Sequence, residues 1–175
     1  MKQAGAASVP GIADGAAPYQ LDADDRDGLT AYLQRQGLLP AGERVVTAAR
    51  AGDGNMNLTL RVTTAARSLI VKQGRPWVEK YPHIPAPVAR TLVEGHFYAL
   101  AARSPWLAAR MPRLYALDPQ SHILVLQDLG AARELTALYA GARLSEAATV
   151  DLADYLGHLH ALTVPPADRL VLRNP

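Results

Sequence analysis

A strict alternation of apolar and polar side chains marks residues 57–64, "NLTLRVTT": Leu58, Leu60 and Val62 fall on one side, Thr59 and Arg61 on the other. That period of two predicts a half-buried strand. Residues 44–51, "RVVTAARA", and 68–73, "SLIVKQ", flank it as further strands, and the three predict an antiparallel meander. The period changes at 85–103, "PAPVARTLVEGHFYALAAR". Val88, Leu92, Val93, Phe97 and Leu100 recur there at helical spacing and predict one face of a helix. Two strands follow at 113–117, "RLYAL", and 122–127, "HILVLQ", joined by the turn "DPQS". Ahead of the strands, residues 22–37 predict a short helix capped by Asp22, with Leu29, Tyr32 and Leu33 inward and Gly37 at its end. Beyond residue 128 the pattern becomes wholly helical. "AARELTALYAG" ends at Gly141, and 145–163 is capped by Ser145 and carries a stripe of Leu152, Leu156 and Leu159. A sheet-plus-helix lobe is therefore expected, then the start of a helical one, with the joint near "LQDLGA".

Composition narrows the classes of function. The 175 residues are 49% hydrophobic and 19% charged, which suits one globular domain or slightly more. The formal charge is only +2 although the pI is about 9.0, and the basic residues form no stripe, so nucleic acid is not an expected partner. The absence of cysteine excludes disulfides and thiolate zinc sites. No apolar run approaches the roughly 18 residues of a membrane span, and no membrane partner is expected. Residues 1–20, rich in Ala, Gly and Pro, lack the apolar core of a signal peptide and predict a flexible lead-in to a cytoplasmic protein. "DADDRDG" looks like a calcium loop, but the register that places Gly28 sixth puts Ala23 first and Gln34 twelfth, where acidic ligands are needed. His83, His96 and His122 stand alone, and His158 and His160 point to different helix faces, so no histidine pair has metal-site spacing.

Three features carry chemistry. In "GDGNMN", Gly52 and Gly54 admit positive φ and close approach of a ligand, and exposed N–H groups in such a turn suit phosphate oxygens. The same residues also make an ordinary hairpin turn. Lys72 stands in an apolar strand beside Leu69, Ile70 and Val71, where it either points to water from an edge or needs an anion. Glu94 lies at the margin of the helix's apolar stripe, as a partner either for Lys72 or for Arg90 four residues earlier. Strand, glycine turn, strand, lysine strand, glutamate helix, two strands and a linker are the order of a kinase small lobe.

"GDGNMNL", "SLIVKQGRPWV", "RTLVE" and "LVLQDLG" together resemble the N-terminal lobe of the 5-methylthioribose kinases, within the aminoglycoside-phosphotransferase-like small-molecule kinases. The resemblance covers roughly residues 44–160. It implies an α+β, protein-kinase-like small lobe over 21–127, built as a five-stranded antiparallel sheet with one main helix. Residues 128–175 would be the hinge and the first helices of a truncated large lobe. It also implies ATP as cofactor, Mg²⁺ in the full-length family, and a sugar hydroxyl as acceptor in methionine salvage. Gly52, Asp53, Gly54, Asn55 and Asn57 would form the nucleotide loop. Lys72 would bind the α- and β-phosphates, Glu94 would orient Lys72, and Gln127, Asp128 and Leu129 would offer hinge backbone to adenine. Gln127 departs from the family's common glutamate, and the proline-rich 74–91 departs further. Neither an "HGD" nor a "D-x-E" segment is present, and Glu134, Glu146, Asp151, Asp154 and Asp168 fit helix patterns or the tail. The expectation is a kinase piece with no catalytic or metal residues of its own and no turnover. The alternatives are a non-catalytic nucleotide- or partner-binding module, or a plain α+β domain. The unpartnered Leu152, Leu156 and Leu159 imply association, a homodimer among the options.

Overall fold

The computed structural model describes residues 17–52, 54–130 and 135–173. The meander is present as β1 (Thr47–Arg50), β2 (Leu58–Thr63) and β3 (Ser68–Gln73). A second hairpin extends it, so the described protein is mixed α+β around a five-stranded antiparallel sheet of order β1-β2-β3-β7-β6, with β6 at Leu114–Asp118 and β7 at Ile123–Gln127. This architecture is compatible with a kinase-like small lobe. The alternation in β2 sets the faces: Leu58, Leu60 and Val62 join Leu69, Val71, Ile123 and Val125 in one buried cluster. The cluster is closed by Leu29, Tyr32 and Leu33 of α1 (Arg26–Arg35). On the opposite face Leu117, Leu124 and Leu126 pack with Ile70 and with Leu92 and Tyr98 of a second helix, α2 (Arg90–Ala101). The sheet is thus covered on both sides, and α2 lies on the face that carries Lys72.

Several boundaries differ from expectation for identifiable reasons. The cap of α1 is Asp25, which accepts from the Gly28 N–H at 2.9 Å, whereas Asp22 is engaged by the Asp24 N–H in the preceding turn. The helix expected from residue 85 begins at Arg90. Pro82, Pro85 and Pro87 withhold N–H donors and bias their predecessors to extended backbone. Residues 77–85 instead form a separate two-stranded ribbon, β4 (Trp77–Val78) and β5 (Tyr81–Pro85). Of the predicted stripe, Leu100 is buried and Leu92 packs on the sheet, while Thr91, Gly95 and Ala101 complete the buried side of α2. A Cβ on Gly95 would lie 2.5 Å from Leu117 Cδ1, so glycine is what lets the helix seat against β6.

A short helix, α3 (Pro105–Ala108), follows α2. Beyond the sheet come a 3₁₀ turn (Leu135–Ala140), α4 (Glu146–His160) and α5 (Pro166–Val171). Ser145 caps α4 by accepting from the Ala148 N–H. Among the described residues, Trp106 stacks on His158 at 3.9 Å between centroids and Arg103 meets Asp168 at 2.6 Å, and both contacts fasten this part to the lobe. α4 has no buried residue, and Val150, Leu152 and Leu156 are exposed. Among the described residues no helix is long and apolar enough to cross a membrane.

Candidate functional site

Antiparallel register decides where Lys72 stands. Thr59 pairs with Lys72 and Lys72 with Leu124, so the lysine returns to the end of the sheet from which the glycine turn projects. Lys72 shares its face with Ser68 and Ile70, and α2 covers that face. There Lys72 Nζ donates to Glu94 Oε1 at 2.5 Å, with side chains 22% and 26% exposed. The helix therefore supplies the anion that a lysine in an apolar strand requires. Glu94 does not pair with Arg90, whose guanidinium is committed elsewhere.

The turn is built by backbone freedom at its entry and by anchoring at its exit. Gly52 adopts φ of 70°, in the left-handed region that favours glycine. Asp53 lies outside the described residues. Gly54 and Asn55 are exposed. The Asn55 carbonyl accepts from the Lys80 N–H at 3.0 Å, which lays the turn against the end of the β4–β5 ribbon. Arg90 at the start of α2 donates from Nε to Asn57 Oδ1 at 2.6 Å and from Nη2 to the Met56 carbonyl at 2.5 Å. Arg50 holds the same ribbon through Glu79 at 2.6 Å. Two carbonyls of the turn face the ribbon and α2, while no N–H of residues 54–57 has a protein partner among the described residues.

The linker after β7 sits at the other end of the same face. Leu69 pairs with Gln127, while Lys72 pairs with Leu124. Three residues along the strand are about 10 Å. Gln127 is exposed, its N–H donating to the Arg113 carbonyl at 2.8 Å. Leu129 is exposed as well. Asp128 turns its carboxylate back to the sheet and accepts from Arg61 Nε at 2.8 Å, Ser68 Oγ at 2.6 Å and the Gly130 N–H at 2.9 Å. Burial raises its pKa, but the hydrogen bonds from Ser68, Gly130 and Arg61, with the Arg61 charge, outweigh this and hold it below the ordinary carboxylate value. Tyr98, one helical turn beyond Glu94, has its phenol pushed up by burial and by the Glu94 charge.

The structure therefore brings Lys72, Glu94 and the glycine turn together at one end and places Gln127, Asp128 and Leu129 at the other end of one face. Sequence reading missed Arg90, Arg61, Ser68 and Glu79. Arg90 had a legible signal, a cation one helical turn ahead of the candidate glutamate; the other three depend on cross-strand or ribbon neighbours that only the fold defines. A cation held by a carboxylate beside an amide-rich turn is suited to bind a polyanion.

Comparison with known proteins agrees in kind. The chain is 30% identical over 106 residues to the methylthioribose kinase of Cronobacter sakazakii (strain ATCC BAA-894). The match takes in 59% of this chain and 26% of that protein, so the chain spans about a quarter of the length of the curated relative it matches. No protein-family model matches. The similarity is distant and partial, and it points to a kinase-like family.

Proposed function

We propose that this chain is the N-terminal, small-lobe part of an ATP-dependent small-molecule kinase that phosphorylates a sugar hydroxyl, of methylthioribose-kinase type and acting in cytoplasmic methionine salvage. The observation that carries the reading is the Lys72–Glu94 pair at the same sheet end as the glycine turn. Residues 21–127 would form the lobe, and 128–175 the hinge and the beginning of a helical lobe. The phosphates would meet the amides of the turn and the Lys72 ammonium. The purine would lie over Ile70 and Leu126, its edge against the backbone of Gln127 and Leu129. The separation of about 10 Å along β3 suits a nucleotide lying lengthwise on this face. Glu94 keeps the ammonium at one position, so charge neutralisation is organised before the ligand arrives.

The described residues bring together no group of three or more His, Asp or Glu that could hold a metal. Mg²⁺, when bound in a complete enzyme, would supply neutralisation of the charge that develops on the phosphates. The part played by this chain is to bind and orient the nucleotide.

Calorimetric titration with ATP and Mg²⁺ tests the reading. Saturable binding is expected, weakened about tenfold or more by Lys72→Met. ADP release in the presence of methylthioribose should stay far below about 1 per second. Equal affinity in Lys72→Met, or no binding by a folded chain, would remove the nucleotide site. Turnover at an ordinary enzyme rate would show that the chain holds catalytic groups of its own.

A further inference from the structure

We infer that Arg90 is a positioning residue that ties the glycine turn to the helix bearing Glu94, so that the phosphate loop and the Lys72–Glu94 pair become ordered as one unit. The inference deepens the nucleotide-site reading given above and rests on it for the ligand.

A guanidinium has five N–H donors in a rigid fork. Arg90 uses all of them, each on a different acceptor. Nε donates to Asn57 Oδ1 at 2.6 Å, and Nη2 to the carbonyls of Met56 at 2.5 Å and Trp77 at 3.1 Å. Nη1 donates to the carbonyls of Arg75 at 2.8 Å and Pro87 at 2.6 Å. One side chain thus fastens the exit of the turn, the segment leaving β3, the first strand of the ribbon and the approach to α2. Burial lowers its pKa and the nearby Glu79 charge opposes this, as expected of a cation held among carbonyls.

Position on the helix makes the network more than a staple. Arg90 and Glu94 are four residues apart, on neighbouring positions of one helical face. A rotation or withdrawal of α2 that takes Glu94 from Lys72 must also pull the fork from Met56 and Asn57. Conversely, a turn clamped on phosphate holds Arg90, and through it the register of the first turn of α2. The two arrangements share one rigid element, which is the physical requirement for coupling. Lysine, with three donors on a flexible stem, could not hold five acceptors in this geometry.

Arg90→Gln, Arg90→Lys, Asn57→Ala, Glu94→Gln and the pairings of the first three with Glu94→Gln test the link on the full chain. In the absence of nucleotide, Arg90→Gln should speed exchange of the Glu79 and Lys80 amides, which donate to the Met56 and Asn55 carbonyls of the turn at 3.4 and 3.0 Å, about tenfold or more and leave the β7 amides unchanged. Glu94→Gln should weaken ATP binding about tenfold alone but less than about threefold on top of Arg90→Gln, since the coupling is already lost. Arg90→Lys should fall between. If Arg90→Gln does not fold, Asn57→Ala removes one strand of the same link and should show the same non-additivity at smaller size. Additive effects on affinity, or unchanged exchange of the Glu79 and Lys80 amides in a folded variant, would reduce Arg90 to a purely structural contact and overturn the inference. If wild-type chain binds no ATP, the nucleotide reading fails, and the exchange measurement still decides whether Arg90 holds the turn.

Discussion

Asp128 is a linker residue with the hydrogen bonding of a buried one. Its side chain is 6% exposed and is held by Arg61, Ser68 and the Gly130 N–H. Its effect is to bend the chain leaving β7 back over the end of β3, which fixes where Gln127 and Leu129 present their backbone. Because its folded pKa is lowered, its contribution to stability is complete above the ordinary carboxylate value of about 3.9 and is lost as pH falls through the lower folded value. Asp128→Asn should cost about 1–2 kcal/mol at pH 7, the size of hydrogen bonds to a charged group discounted for the half-exposed Arg61. The gap between wild type and variant should begin to narrow as pH falls below about 4 and go on shrinking as the folded carboxylate protonates. Urea unfolding at pH 7 and pH 3 measures both, and a gap independent of pH would mean that the carboxylate charge is not its source.

At the scale of elements, the placement of α2 governs the site, and Gly95 governs α2. Replacing it with alanine raises intrinsic helix propensity by about 1 kcal/mol. The new Cβ, however, meets three atoms of Leu117 at 2.5, 2.9 and 3.2 Å. Leu117 is buried, so its whole side chain must move or the helix must lift. Overpacking of this kind costs about 1–3 kcal/mol and exceeds the propensity gain. Gly95→Ala is therefore expected to lower the midpoint of chemical unfolding. It should also weaken ATP binding beyond what the stability change explains, because Glu94 is the adjacent residue. A variant more stable than wild type would show that Leu117 yields freely and that the close seating of α2 matters little.

Across the whole molecule, stability is unevenly distributed. β3 is hydrogen-bonded on both edges, to β2 and β7, and its faces are covered by α1 and α2. α4 buries no side chain and is held by the Trp106–His158 stack, with Arg110 over the indole at 3.6 Å and the Arg103–Asp168 pair joining the chain just beyond α2 to α5. Local opening should track this contrast. Native-state hydrogen exchange should show α4 amides opening at far lower free energy than those of β3, and Trp106→Ala should lower α4 protection further without changing β3. Equal protection in α4 and β3 would mean that α4 is covered by contacts beyond these, such as those of a second copy.

The sequence by itself determined the elements whose signal is local. The period-two pattern of β2, the breadth of β3, the hairpin around "DPQS" and the start of α4 at Ser145 follow from side-chain alternation, turn residues and capping, which act within a few positions. The pairing of Lys72 with Glu94 was one of two readings the sequence left open, since a lysine in an apolar strand asks for an anion while Arg90 stood four residues before Glu94. Only the tertiary structure decided the β4–β5 ribbon: Pro82 and Pro85 within it and Pro87 after it say where a helix cannot begin but not what replaces it. Only the fold, too, gave Arg90 its five acceptors and Asp128 its place over β3. Those acceptors are mostly backbone carbonyls, which every residue carries, so no side-chain pattern marks which of them will meet.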